Sequence, residues 1–527
     1  MAEAQGGKEG TKVKLPPNQK HKQVPLSQLS REELEARVRQ LEAHNTQLRN
    51  LLSKSQTGST SDSFSTHGKS PKQRDFDFSK YSRRHVALKL CYLGWDYQGF
   101  TVQEDSHNTI EAQLFAALLK TRLIESRETS NYHRCGRTDK GVSAFDQVIS
   151  ITLRSKVRNG IGVEGISQKE DSSTTDRLKD HEEEEEEEEI NYVQLLNRVL
   201  PQEIRILAWC PVPPEFSARF DCCQRTYKYF FPQGSLDLQA MNKAGQHLVG
   251  EHDFRNLCKM DVANGVVNFK RRIMAVKVAR VDEENDEGTV GGEDGVVIER
   301  NSGSDGYEMC VATIEGQAFL WHQVRAVMAV LFLVGQGKEQ PDVVTELLDI
   351  KTHPRKPQYC LASDLPLNLW AVHFDSIVWR WDEDELRRLL GQLQEVWTQQ
   401  AVRNTMTRSM LKDLEIRYKK LIRARETRKG KKEEEELPGN NEPEIKKMKI
   451  EEEKLPGNNE SEMKMKMEED DEGWKVKEQP TVLMSSTRCK VYRPLLSRPT
   501  CESLEKRVEH YIKKQRLDPD LLKKLDS

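Results

Sequence analysis

His133-Arg134-Cys135-Gly136-Arg137-Thr138-Asp139-Lys140-Gly141-Val142-Ser143-Ala144-Phe145 is a loop with two glycines that carries one carboxylate, Asp139, among Arg134, Arg137 and Lys140. Nearby cations favour the charged form of a carboxyl group, and a charged carboxylate with no second acid beside it suits a nucleophile better than a proton donor. A turn aspartate in a local ion pair is the ordinary alternative. Before the loop, Thr109–Ile124 reads as a helix with Ile110, Leu114, Ala117, Leu118 and Leu123 inward. After it, Phe145–Leu153 reads as a strand with Ile149, Ile151 and Leu153 on one face.

The same alternation continues outward. Val86, Leu88, Leu90 and Tyr92 mark a strand, Ile190–Val199 a short helix ended by Pro201, Arg225–Phe231 a strand and Ala240–Val249 a helix. Phe269–Val281 and Glu308–Glu315 are further strands. Trp321–Val334 is an apolar helix, and Pro341–Leu348 a helix with proline in its first turn. Strands and helices of ordinary length predict an α/β or α+β fold, with an ordered body over 84–155, 190–281 and 307–400 that suffices for two packed subdomains.

Charge divides the 527-residue chain more sharply than hydropathy does. Residues 164–189, with eight consecutive glutamates at Glu182–Glu189, carry a net −10; residues 282–305 carry −8 and residues 433–480 carry −9. These blocks hold −27 of a formal net charge of −3, so the remainder stands at +24, the charge of a protein that meets polyanions. Such blocks self-repel and bury little, so they are expected to be disordered insertions, the first spanning 156–189. The third contains LPGNNE twice, at Leu437–Glu442 and Leu455–Glu460, too few copies for a solenoid.

Residues 1–80 read as a basic tail, a helix and a linker. In the helix, Leu34, Val38, Leu41, Asn45, Leu48 and Leu52 step by four and three, which fits a short coiled coil or an amphipathic helix lying on the body. Met410–Ile422 reads as a helix followed by the basic run Arg423–Lys432, which fits nuclear import, RNA contact or a solvated linker. Residues 481–527 hold a last basic helix near Glu502–Arg516. The body divides on this reading into 84–281 and 306–400, with 401–432 as helix and basic patch.

Several functions are disfavoured. No apolar run reaches the ~18 residues of a membrane span, and the polar start resembles neither a signal nor an Arg-rich transit peptide. Ten cysteines without a CxxC pair suit reduced thiols in the cytosol or nucleus. GxGxxG, GxxxxGK[ST] and HExxH are missing, and His247, His252 and Cys258 match no standard zinc spacing.

Two other stretches bear on the Asp139 loop. In Phe216–Tyr229, Tyr227 and Tyr229 share a strand face interleaved with bases, a pattern that suits base stacking and phosphate contact as well as core packing. In Glu315–Met328, Arg325 is the only full charge between Glu315 and Lys338. If buried it needs an anion, for which Asp139 is the candidate; at an exposed helix end it would need none.

Together GRTDKGVSA at Gly136–Ala144, RTYKY at Arg225–Tyr229 and GQAFLWHQVR at Gly316–Arg325 resemble the TruA family of tRNA pseudouridine synthases. ALKLCYLGWDYQGFTVQED at Ala87–Asp105 is similar to the family's first strand and loop, and its departures at Leu93 and Phe100, with the tail Arg498–Arg516, look most like the eukaryotic branch. The resemblance covers most of the core. It implies a pseudouridine synthase catalytic fold, two α/β halves around a mixed, mainly antiparallel sheet with an RNA cleft between them. It implies Asp139 as the catalytic residue, Tyr227 stacking on the target uracil, Arg325 orienting the aspartate, and Arg137 holding the flipped nucleotide out. Phe319, in the third motif, joins these as a substrate-binding residue. The changes at Leu93 and Phe100 are expected to bear on RNA positioning. The implied partner is tRNA, at positions 38 and 39 of the anticodon stem-loop, and the implied assembly is a homodimer. The implied reaction is an isomerisation that needs no cofactor and no metal. A nuclear location, shared with the cytoplasm, is expected. A non-catalytic tRNA binder on the same fold is the rival reading, and the joint presence of Asp139, Tyr227 and Arg325 speaks against it.

Overall fold

In a computed structural model, the described residues are 76–435 except 104–105, 107, 166–187, 283–305 and 376, followed by 483, 491–514 and 516–518. The expected N-terminal coiled-coil-like helix and most of the three acidic blocks lie outside them.

Among the described residues, eleven strands make one sheet: β1 (Ser82–Tyr92), β2 (His133–Arg134), β3 (Ser143–Ser155), β4 (Val163–Glu164), β5 (Ile204–Pro211), β6 (Gln224–Pro232), β7 (Gly250–Asp253), β8 (Lys270–Arg280), β9 (Met309–Gly316), β10 (Leu367–His373) and β11 (Arg380–Trp381). The order is β11-β5-β1-β3-β10-β6-β9-β8-β7, with β2 on β3 and β4 on β1. Every pairing is antiparallel except β3 with β10, where Ser143 and Ala144 face Asn368 and Leu369. The fold is therefore α/β with a mixed, mainly antiparallel sheet, as expected. The single parallel seam divides it into two halves. That seam splits the expected first half of 84–281, because β6 and β8 pair with β9 and β10 rather than with β1 and β3.

The helices are α1 (Ile110–Lys120), α2 (Tyr192–Asn197), α3 (Leu238–Gln246), α4 (Gln323–Gly335), α5 (Val343–Leu348), α6 (Glu383–Glu435) and α7 (Leu504–Lys513). Strand alternation sorts the core. Leu88 and Ile149 join the large cluster that takes in α1 to α5 and α7, whereas their neighbours Ala87 and Val148 face a smaller cluster with Phe216 and Phe374. Helix α4 is buried along nearly its whole length, and Phe332 packs edge-on against Tyr229 and Phe231 of β6. Tyr229 is thus a core residue whose hydroxyl donates to the Ser363 carbonyl at 3.0 Å, and it does not share a stacking role with Tyr227.

Helix α6 starts at Glu383, well before the expected 410, and runs 53 residues through the basic stretch Arg423–Lys432. Only its first turns touch the β5 side, where Leu389 meets Cys91 and Leu207 and Arg205 donates to Gln392 at 2.9 Å. The tail before α7 docks on the segment ahead of β10: Gln358 and Cys501 exchange backbone hydrogen bonds with Pro499 and Lys356.

The first acidic insertion is narrower than 156–189. Glu164 pairs with Arg83 in the sheet. Glu189, last of the eight-glutamate run, has its side chain buried: it accepts from Ser155 at 2.7 Å and from the Lys156 N–H at 3.0 Å, and pairs with Arg84 at 3.1 Å. Burial alone would raise its carboxyl pKa, but these donors, with the Ile190 N–H, hold it below the ordinary value.

Candidate active site

The Asp139 loop crosses from β2 to β3 beside the parallel seam, and neighbours pin it from both sides. Upstream, Glu111 of α1 is fully buried. It pairs with Arg134 at 2.8 Å and Arg127 at 2.9 Å, and accepts the Val102 N–H at 2.9 Å, so the charge that begins the loop is spent on α1 rather than on Asp139. In the middle, Thr138 shares a 2.8 Å hydroxyl hydrogen bond with Tyr92, and its carbonyl accepts from the Phe100 N–H at 3.1 Å. Downstream, Gly141 has φ +76°, a left-handed conformation that favours glycine, and donates to the Tyr97 carbonyl. Gly94 comes so close that a Cβ there would stand 2.0 Å from the Val142 carbonyl oxygen.

Phe100 is fully buried and tilted against Tyr92 at 5.8 Å. Contrary to expectation, it supports the loop from within and cannot touch RNA.

Asp139 points across the seam to the start of α4. Trp321 Nε1 donates to Oδ1 at 3.2 Å, His322 Nε2 lies 3.3 Å from Oδ2, and Arg325 Nη1 lies 3.8 Å from Oδ2. Arg325 is fixed by its Nε donating to the Ala362 carbonyl at 2.8 Å and by Asp364 at 3.7 Å. The buried arginine of an apolar helix therefore has the expected partner, Asp139, and a second one, Asp364. His322 caps α4 with φ +58°, a strained setting for a residue with a side chain, and that turn brings Trp321, His322 and Arg325 to one carboxylate.

Tyr227 and Phe319 form the apolar wall. Their rings meet edge-on at 5.0 Å and 81°. Burial pushes the Tyr227 phenol above its ordinary pKa; the Arg225 charge opposes this and nearby Asp139 adds to it, so the hydroxyl stays protonated at neutral pH. Arg225 is buried and donates to the Cys135 carbonyl at 3.0 Å and also to the Gln317 carbonyl, which ties β6 to the loops that carry Asp139 and Phe319.

Of the expected site residues, Asp139, Arg325, Tyr227 and Phe319 converge. Arg137 is exposed and is not among the groups that hold the carboxylate; desolvation and the charges of Arg134 and Arg219 hold its guanidinium below the ordinary pKa. Trp321, His322 and Asp364 were not singled out by sequence reasoning. The first two stand inside the third motif, where two aromatic donors just ahead of Arg325 were the available signal.

Residues 244–375 match the family model described as tRNA pseudouridine synthase. The chain is 41% identical over 497 residues to the tRNA pseudouridine(38/39) synthase of Bos taurus, covering 94% of this chain and 90% of the relative. The chain belongs to the tRNA pseudouridine synthase family. The human tRNA pseudouridine(38/39) synthase is likewise 41% identical, over 92% of this chain and 89% of its own length. A tRNA pseudouridine synthase A of Methanothermobacter thermautotrophicus is 27% identical over 63% of this chain and 98% of its own. Residues 244–375 hold Phe319, Trp321, His322 and Arg325, whereas Asp139 and Tyr227 precede them, so the candidate site draws on residues within and ahead of the matched stretch.

Proposed function

We propose that this chain isomerises uridine to pseudouridine in tRNA, at positions 38 and 39 of the anticodon stem-loop. The observation that carries the reading is the Asp139 carboxylate, gripped by Trp321, His322 and Arg325 and walled by Tyr227 and Phe319. The reaction breaks the N1–C1′ bond, turns the uracil, joins C5 to C1′ and moves one proton from C5 to N1, so no atom is gained or lost. A stacked base is out of reach, and the nucleotide must be flipped into the pocket. Asp139 then serves C1′ directly as nucleophile or takes the 2′ proton. Held by the Trp321 N–H and flanked by His322 and Arg325 at the head of α4, it needs little reorganisation when positive charge develops at C1′. Tyr227 supplies a ring for the base and a protonated hydroxyl. Arg137, in a cluster with Arg134 and Arg219, is suited to a phosphate of the flipped strand. The names of the Bos taurus and human relatives support the choice of positions.

The test is pseudouridine mapping after incubation of the full chain with a tRNA carrying uridine at 38 and 39. Pseudouridine there, and none when those positions are cytidine, is expected. Modification of other uridines alone would overturn the assignment. A chain that binds this tRNA but forms no pseudouridine would instead be the non-catalytic binder.

We also propose that the protein acts as a homodimer. Leu386, Leu390, Leu393 and Trp397, then Leu411, Leu414, Tyr418 and Leu421, are exposed on α6. They fall on one four-three series whose middle steps are Gln400, Asn404 and Thr407. Run antiparallel about the midpoint of Gln400 and Asn404, the series matches itself, with Leu390 opposite Leu414 and Leu393 opposite Leu411, as a two-fold contact requires. Leu390→Glu with Leu414→Glu should halve the mass in sedimentation; an unchanged mass refutes this. A nuclear location draws support from the basic run Arg423–Lys432 on the same helix. A fluorescent fusion should leave the nucleus when these bases become glutamine, and one that stays refutes the role of the run.

A further inference from the structure

Two thiols beside the site take no part in the chemistry above. Cys135 and Cys222 are 87 residues apart in sequence, yet the Cys135 thiol donates to the Cys222 sulfur at 3.3 Å, and both are free and buried. Cys135 directly follows β2 and stands four residues before Asp139. Cys222 stands just before β6, the strand of Tyr227. Arg225 joins the two segments by donating to the Cys135 carbonyl at 3.0 Å and the Cys222 carbonyl at 3.4 Å.

The pair is asymmetric. Donation from Cys135, with the nearby Arg225 charge, holds the Cys222 thiol below its ordinary pKa, while burial pushes Cys135 well above. Cys222 is therefore the one to ionise, and the thiolate is the reactive form. It also has an approach: with Phe216, Phe220, Cys223 and Asp375 it lines an open cavity of about 660 Å3, ample for a small hydroperoxide.

We propose that Cys135 and Cys222 form a hydroperoxide-sensitive pair whose disulfide displaces the Asp139 loop and reversibly silences the enzyme. The Cys222 thiolate attacks one oxygen of hydrogen peroxide. The O–O bond breaks, and the departing hydroxide takes up the proton that Cys222 had released, giving water and a sulfenic acid. The Cys135 sulfur then attacks Cys222, and its proton leaves with the hydroxyl as a second water. Two thiols lose two electrons in all, and one peroxide becomes two waters. A small thiol restores the pair by exchange. The sulfurs must close from 3.3 Å to ~2.05 Å. Part of that movement falls on a loop fixed at Cys135 by its N–H to the Val148 carbonyl. A shift of about 1 Å at a reacting group costs on the order of a hundredfold in rate.

The experiment treats the full chain with hydrogen peroxide, maps disulfides by mass spectrometry without reduction, and measures tRNA pseudouridylation before and after dithiothreitol. Expected are a Cys135–Cys222 link, an activity loss of about a hundredfold, and recovery on reduction. Cys222→Ala and, separately, Cys135→Ala should keep their activity under the same peroxide. The proposal is overturned if the two cysteines are recovered unlinked, if Cys222 links to Cys223 instead, or if the link forms and activity stays. The activity arm rests on the reading of Asp139, whereas the mapping arm does not, so the two can fail separately.

Discussion

Arg325 is the residue whose loss should separate chemistry from RNA binding. Its guanidinium lies 3.8 Å from Asp139 and is 12% exposed, against 22% for the carboxylate. At that distance, with an effective dielectric near 20, the attraction is about 4 kcal/mol. Partial exposure screens it, and His322 remains at 3.3 Å from the same oxygen, so Arg325→Met should remove roughly 2–3 kcal/mol of transition-state stabilisation. That is a fall of roughly 30- to 150-fold in kcat at about 1.4 kcal/mol per decade. KM should change little, since the side chain is turned to Asp139, Asp364 and the Ala362 carbonyl. Arg325→Lys keeps the charge but cannot serve three acceptors with one fork, and should recover about half of the lost free energy. The assay is single-turnover tritium release from tRNA labelled at C5 of uridine, with thermal unfolding to show that each variant is folded. A folded Arg325→Met within threefold of wild type would refute the pairing as the source of the orientation.

Three further outcomes follow from individual contacts. Trp321→Phe removes one donor to the carboxylate and should cost about 1.5–3 kcal/mol in kcat/KM, roughly ten- to a hundredfold, read in the same assay. Glu189→Gln should destabilise by about 3 kcal/mol near neutrality, since it breaks a buried pair, whereas Glu188→Gln, exposed one position earlier, should leave the unfolding midpoint in denaturant unchanged. Because the Glu189 carboxyl is held below its ordinary 4.5, its stabilisation is present above that pH and fades as pH falls below 4.5 through the lower folded-state value, and the gap between variant and wild type should close there. Gly94→Ala forces a Cβ onto the Val142 carbonyl and should cost about 1–3 kcal/mol of stability, with slower turnover from the displaced loop.

Much of this site is local in sequence and was therefore legible. Asp139, Tyr227 and Arg325 stand in three short stretches; a buried arginine's demand for an anion made Asp139 the candidate partner of Arg325, and the family resemblance of the stretches supplied the roles. What escaped reading depends on contacts between distant segments. Arg134 looked like a neighbour of Asp139 but turns to Glu111, because a fully buried glutamate on α1 needs it more. Phe100 was expected to bear on RNA positioning rather than on the aspartate, but it fills the core under the Asp139 loop. Strands β5 and β10 were not read, although β5 is buried at every position from Ile204 to Cys210 and Leu367 and Leu369 of β10 alternate with half-buried neighbours. Short runs between stronger signals carry that period weakly, and the parallel seam of β3 with β10, which places the site, has no local signature at all. Helix α6 was read only in part because its apolar four-three series is interrupted by Gln400, Asn404 and Thr407 and is exposed rather than packed on the core. Glu189 was hidden by composition: in a run of eight identical residues only packing decides which one is structural.

The central claim is that Asp139 performs the reaction while the surrounding fold binds the tRNA. Asp139→Asn keeps the size of the side chain and an acceptor for Trp321, so the variant should fold and bind tRNA as wild type does. In single-turnover tritium release from tRNA labelled at C5 of uridine, it should release no tritium above background while wild type runs to completion. Release by the folded variant at a rate near that of wild type would contradict the account.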